Sequence, residues 1–221
     1  IPILEGVLGA PTYGSVQYVF SQTGTLLFVP GSAGGEQELP IWIDREGKES
    51  PISQHKRVYL DARLSPDGTR LAAMIMDAAN PDIWILEIER DMFTRLTFDE
   101  AVDQNPRWSP DGKWIVFSSN RGKSGFNLFR QLADGTGEAE RLTTSDIPQF
   151  PSSFSPDGSI LVFVESSPKN LADIMYLRLD GEERKPEVFL ATPFMERGPA
   201  LSPDGKWVAY GSNETGEFEI Y

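Results

Sequence analysis

Ser65-Pro66-Asp67-Gly68, Ser109-Pro110-Asp111-Gly112, Ser155-Pro156-Asp157-Gly158 and Ser202-Pro203-Asp204-Gly205 are four copies of one tetrapeptide. A worn copy, Ser21-Gln22-Thr23-Gly24, precedes them. The starts at 21, 65, 109, 155 and 202 lie 44, 44, 46 and 47 residues apart. A short motif at near-constant spacing marks a repeat architecture. Ser suits the first position of a type I turn, Pro presets φ at the second, Asp is tolerated at the third, and Gly supplies a positive φ at the last. Such a turn closes a β-hairpin with a bulge. Asp67, Asp111, Asp157 and Asp204 are therefore expected to form turns and not to serve as catalytic acids.

Working outward, each repeat reads as four strands. A short apolar strand enters the turn, as in Arg107-Trp108 and Ala200-Leu201. A β-rich run leaves it: Leu71 to Met76, Trp114 to Phe117, Ile160 to Val164 and Trp207 to Tyr210. These runs are apolar at nearly every position, so both of their faces should be covered. An amphipathic third strand (Ile83-Trp84-Ile85-Leu86, Ile174-Met175-Tyr176-Leu177) and a polar fourth (Thr94 to Thr97, Glu140 to Thr143) follow. Helical periodicity is absent. Four strands per period of about 45 residues is a propeller blade. Trp108, Trp114 and Trp207 are expected to pack between blades.

The fold expected is all-β: a five-bladed β-propeller with four antiparallel strands per blade. The blades fall at about 12–54, 55–98, 99–144, 145–191 and 192–221, with residues 1–8 supplying the outer strand that completes the last blade and closes the ring. The chain opens on Ile1-Pro2 with no signal peptide visible, which suggests a processed chain or a segment of a longer protein.

Composition narrows the partners. Twenty basic against 33 acidic residues give a net charge of −13, which argues against nucleic acid or an anionic membrane surface. No apolar run approaches the roughly 20 residues that span a bilayer, so membrane insertion is not expected. Without cysteine there is no disulfide and no thiolate chemistry. His55 is the only histidine, so a site with two His ligands cannot form within one chain. No Gly-x-Ser-x-Gly elbow presents a nucleophile. Gly122-Lys123-Ser124-Gly125 is a polar turn without phosphate-loop spacing.

Carboxylates remain. Aligned on the turn, Ser15, Tyr59, Asp103, Gln149 and Glu196 stand six residues before each motif Ser. The next register holds Val16, Leu60, Gln104, Phe150 and Arg197, and the one after holds Gln17, Asp61, Asn105, Pro151 and Gly198. In a propeller these linkers ring one mouth of the channel. Tyr59, Asp61, Asp103, Gln104, Asn105, Gln149, Phe150, Glu196 and Arg197 are thus the candidate ligand-binding residues. Oxygen-rich groups converging on an axis are suited to Ca²⁺ in the central channel. Asp103 and Glu196 also suit a glycosidase-like carboxylate pair.

The stretches Trp108 to Gly122 and Leu201 to Glu214 resemble the WD-like propeller repeats of the TolB type, and the resemblance covers nearly the whole chain. Ile3 to Val29 and Ile41 to Lys48 are most similar to the propellers associated with bacterial Ser/Thr kinases. The resemblance implies a periplasmic or extracytoplasmic location. Propellers host many unrelated activities, so the fold names no enzyme class. The function expected is a non-catalytic scaffold or sensor module whose channel-mouth loops contact a protein, peptide or small ligand. The alternatives are a hydrolase or lyase using channel carboxylates with a divalent metal, and the gating propeller of a peptidase.

Overall fold

The structure, a computed structural model, describes residues 9–10, 15–16, 18–20, 26–28, 37–77, 80–122, 125–166, 171–181 and 184–221. Every regular element among them is a strand, so no helix is long and apolar enough to cross a membrane. The chain forms two compact units, Ile1–Phe98 and Asp99–Tyr221.

In the first unit β1 (Gly9–Ala10) pairs with β2 (Ser15–Val16). A four-stranded sheet follows: β3 (Tyr18–Phe20), β4 (Leu26–Phe28), β5 (Ile41–Ile43) and β6 (Glu49–Pro51). The next sheet holds β7 (Val58–Leu64), β8 (Arg70–Asp77), β9 (Asn80–Glu87) and β10 (Met92–Arg95). Its core joins Tyr59, Leu71, Ala73, Ile75 and Leu86 to Ile52 and Trp42 of the preceding sheet.

The second unit begins with β11 (Asp103–Trp108), β12 (Trp114–Ser119), β13 (Asn127–Leu132) and β14 (Glu140–Arg141). Then come β15 (Gln149–Phe154), β16 (Ile160–Glu165), β17 (Asp173–Arg178) and β18 (Glu187–Leu190). A last sheet has β19 (Glu196–Leu201), β20 (Val208–Ser212) and β21 (Glu219–Ile220). All pairings are antiparallel and sequential, which is the meander of a propeller blade.

The expected burial of the second strand holds in three sheets. Leu71 to Ile75, Ile115 to Phe117 and Leu161 to Phe163 are all buried. Because side chains alternate across a strand, Val116 reaches the core shared with Leu161 and Phe163, while Ile115 and Phe117 are buried on the other face. Each large buried side chain contributes roughly 1.5–3 kcal/mol.

The four motifs close their hairpins alike. Gly68, Gly112, Gly158 and Gly205 donate N–H to the carbonyl of Ser65, Ser109, Ser155 and Ser202 at 2.8–2.9 Å. Each Ser Oγ donates to its own Asp Oδ1 at 2.6 Å. Each Asp Oδ1 also accepts the backbone N–H two residues on, from Thr69, Lys113, Ser159 or Lys206. The motif glycines adopt φ between +68° and +75°. A Cβ on Gly158 would lie 3.5 Å from Cδ of Pro110, and one on Gly205 would lie 3.1 Å from Cδ of Pro156. So Pro110 and Pro156 each sit on the motif glycine of the following sheet. The motif is a turn and also a contact between neighbouring blades.

Two expectations are corrected. Five blades of four strands are not found: four sheets are complete, and the last has three strands because no described strand pairs with the free side of β21. Residues 1–8, expected there, and the worn motif at 21–24 lie outside the described residues. Trp108 is buried and Trp114 half-buried, but Trp207 is 73% exposed. Within the second unit its sheet packs on a neighbour chiefly through β19, and the Trp207 indole is left outside that contact.

Candidate functional site

The candidate residues lie where the first strands begin. Asp103, Gln149 and Glu196 open β11, β15 and β19 and pair with Ser119, Glu165 and Ser212 at the ends of the second strands. Spacing from the motif placed them in equivalent register. They were expected in linkers, but they are the first residues of strands, and all three are buried. Each first strand carries a bulge within four residues of them. Asn105 and Gly198, both four residues before their motif Ser, take φ of +55° and +60° in these bulges. Asn and Gly are the residues that accept this region most readily.

Neighbouring sheets are stitched at this end. The N–H of Gln149 donates to the Phe126 carbonyl at 2.8 Å, and that of Glu196 donates to the Ala172 carbonyl at 3.0 Å. Ser118 Oγ donates to the Gln149 carbonyl at 2.6 Å. β15 and β19 are thereby each tied to the sheet before them.

The buried polar groups are largely answered from within. Arg121 donates to Asp103 Oδ2 at 2.7 Å and to Ser119 Oγ at 3.0 Å, and its guanidinium lies 5.3 Å from the Phe117 ring. Gln149 accepts from Thr143 and donates to Glu165 at 2.7 Å. Glu196 Oε1 accepts from Thr192. Of these three residues, Asp103 and Glu196 each keep one buried oxygen without a hydrogen-bond partner, Oδ1 and Oε2. Among the described residues no three His, Asp or Glu side chains converge as metal ligands would.

Gln104, Phe150 and Arg197, one residue on, are half-exposed, as is Asn105. Phe150 packs against Phe126 with ring centroids 6.0 Å apart. Arg197 lies 3.4 Å over the Phe218 ring. Leu171, Phe194 and Phe218 at the same end are 57%, 40% and 42% exposed. These residues were missed in the sequence. Their signal is an apolar residue in a turn or linker where polar residues are the norm, as in Gly125-Phe126-Asn127 and Glu217-Phe218-Glu219.

Tyr59 and Asp61 occupy the corresponding part of β7, in the first unit. Tyr59 donates to the His55 carbonyl at 3.3 Å, and burial pushes its hydroxyl pKa up. Asp61 pairs with Arg63 at 2.7 Å and accepts the Ala62 N–H at 2.8 Å. His55 is exposed, 3.9 Å from Asp91. The turn aspartates are held below the usual carboxylate range, chiefly by the motif serine hydroxyls, and Asp157 is brought down to about 2.

The chain is 32% identical to the uncharacterized peptidase YuxL of Bacillus subtilis over 197 residues, covering 70% of this chain and 29% of that protein. It is 31% identical over 141 residues to the Protein TolB homolog of Chlorobium luteolum, covering 64% of this chain and 31% of that protein. It therefore spans about a third of either relative. TolB from Acinetobacter baumannii superposes with a TM-score of 0.77 at 21% identity, over 92% of this chain and 50% of that one. At that identity the likeness shows the fold. Residues 37–221 match the TolB beta propeller domain, and the chain belongs to that family.

Proposed function

We propose that the chain is a non-catalytic binding propeller that takes a protein or peptide at the mouth where its first strands begin. The observation that carries this reading is the exposed set Leu171, Phe194 and Phe218, with Arg197 stacked on Phe218, at the end where the buried Asp103, Gln149 and Glu196 open their strands. Apolar side chains cost free energy when left in water, and several exposed at one end of the strands suit an interaction site. Aromatic residues and Arg are the types that dominate binding energy in interfaces. The hydrogen-bonded first strands beneath give them a rigid base, which lowers the ordering cost of binding. An extracytoplasmic location belongs to the same reading and rests on the likeness to TolB proteins.

The test uses peptides selected from a phage-displayed library on the purified chain. Arg197→Ala and Phe218→Ala are each expected to weaken the selected peptides about tenfold or more, the size of an interface hot spot. Trp207→Ala, on an exposed residue at the far end of its sheet, is expected to change nothing. Peptides indifferent to both mouth variants would overturn the proposal.

A second reading is that the chain is the propeller part of a peptidase, favoured by its identity to YuxL. Peptidase activity in the full natural protein, altered by mouth variants without loss of the fold, is the result expected from that reading.

A further inference from the structure

The opposite end of the second unit holds a groove of about 510 Å³ between its first two sheets. That is within the range of pockets that hold ligands. One wall is the turn at Pro110-Asp111 and the other is the turn at Pro156-Asp157, each stiffened by its proline. Phe154 and Leu179 give it apolar surface, and Asp180 stands at its third side.

The one arginine lining the groove is already engaged. Arg130 lies 4.4 Å over the Trp114 ring, and its Nε donates to Glu140 at 2.6 Å. Arg184, from the loop before β18, also bonds Glu140. Of the acids lining the groove, Asp111 pairs with Lys113 at 3.7 Å, whereas Asp157 has no cation paired with it among the described residues. Asp157 Oδ1 accepts Ser155 Oγ, Ser159 N–H and Ser159 Oγ, so hydroxyls and an amide position the carboxylate without cancelling its charge. Asp180 is exposed. The groove thus has apolar walls under an anionic rim. The Trp114 and Arg130 pair is not demanded by the repeat, since Ile160 and Tyr176 stand at those positions in the next sheet.

We propose that this groove is a second binding site, distinct from the mouth, for an extended peptide segment of a partner protein carrying a lysine or arginine beside a bulky apolar residue. The apolar side chain rests on Phe154 and Leu179 while the cation meets Asp157 and Asp180. Charge complementarity of this kind chooses the partner and speeds encounter more than it deepens affinity.

The experiment titrates the purified full chain with fluorescein-labelled Gly-Leu-Arg-Leu-Lys-Gly and with its Gly-Leu-Glu-Leu-Glu-Gly counterpart, and maps the bound state by NMR. The basic peptide is expected to bind at one site and shift the Trp114 indole and the Leu179 amide. Asp180→Asn is expected to weaken it about two- to fivefold, and Asp157→Asn with Asp180→Asn about tenfold. Glu100→Gln with Glu217→Gln, exposed acids at the other end, should leave it unchanged. Asp180→Asn disturbs no motif turn, so it stays informative if Asp157→Asn loosens its hairpin. Absence of binding, equal binding of the acidic peptide, equal losses in the two double variants, or shifts confined to other surfaces would each overturn the proposal.

Discussion

Gly205→Ala isolates the contact by which one motif turn rests on the next. Gly205 has φ of +70°, a region that costs an L-residue with a Cβ roughly 1–2 kcal/mol. The added methyl would also lie 3.1 Å from Cδ and 3.6 Å from Cγ of Pro156. A pyrrolidine ring cannot rotate aside as a long side chain can, so the turn itself must shift, and overpacking of this kind adds about 1 kcal/mol. Gly158→Ala is the internal control in the same unit. Its φ is +75°, but its Cβ would meet Pro110 Cδ at 3.5 Å, an ordinary contact. Denaturant unfolding should therefore show a loss of roughly 1–2 kcal/mol for Gly158→Ala, and about 1 kcal/mol more for Gly205→Ala. In a double-mutant cycle Pro156→Ala should remove the excess at Gly205 and leave the conformational part. Equal losses for the two glycines, or an excess that persists without the Pro156 ring, would refute the stacking of turns between blades.

Other outcomes follow from the same geometry. The carboxyls of Asp67, Asp111, Asp157 and Asp204 lie below their ordinary 3.8 in the folded chain, so the stabilisation they give is complete above about pH 4. It is lost as the pH falls toward the value of about 2 held by Asp157, so the denaturation midpoint should drop across that window, and Ser155→Ala should flatten the drop. Asp103→Ala leaves the largely buried Arg121 guanidinium without its carboxylate and should cost about 3 kcal/mol by equilibrium unfolding. Trp108→Ala should cost about 3–5 kcal/mol in the same assay, whereas Trp207→Ala should stay within about 0.5 kcal/mol.

Much of the fold was legible because the motif is a ruler. The strands leaving the turn at Leu71, Trp114 and Ile160 lie within a residue of where their apolar runs begin, since two-sided burial writes itself as an unbroken apolar run. The offset of six residues also put Asp103, Gln149 and Glu196 in one register. What failed depended on neighbours. Trp207 has the same local sequence as Trp114, and only the sheets around each decide which indole is covered. The depth of Asp103 depends on Arg121, which sits 18 residues away in a loop whose sequence does not announce an ion pair. The contact of Pro156 with Gly205 spans two repeats, so it is invisible to a reading of each turn alone. Leu171, Phe194 and Phe218 passed unnoticed because loops carry little periodicity to break.

Amide hydrogen exchange of the chain with and without a library-selected peptide tests the binding-mouth account most directly. The account predicts that slowing concentrates at 103–105, 149–151, 171–172, 194–198 and 213–218, the end where the first strands begin. Slowing confined to the turns at 65–68, 109–112, 155–158 and 202–205, with the mouth exchanging as in the free chain, would contradict it.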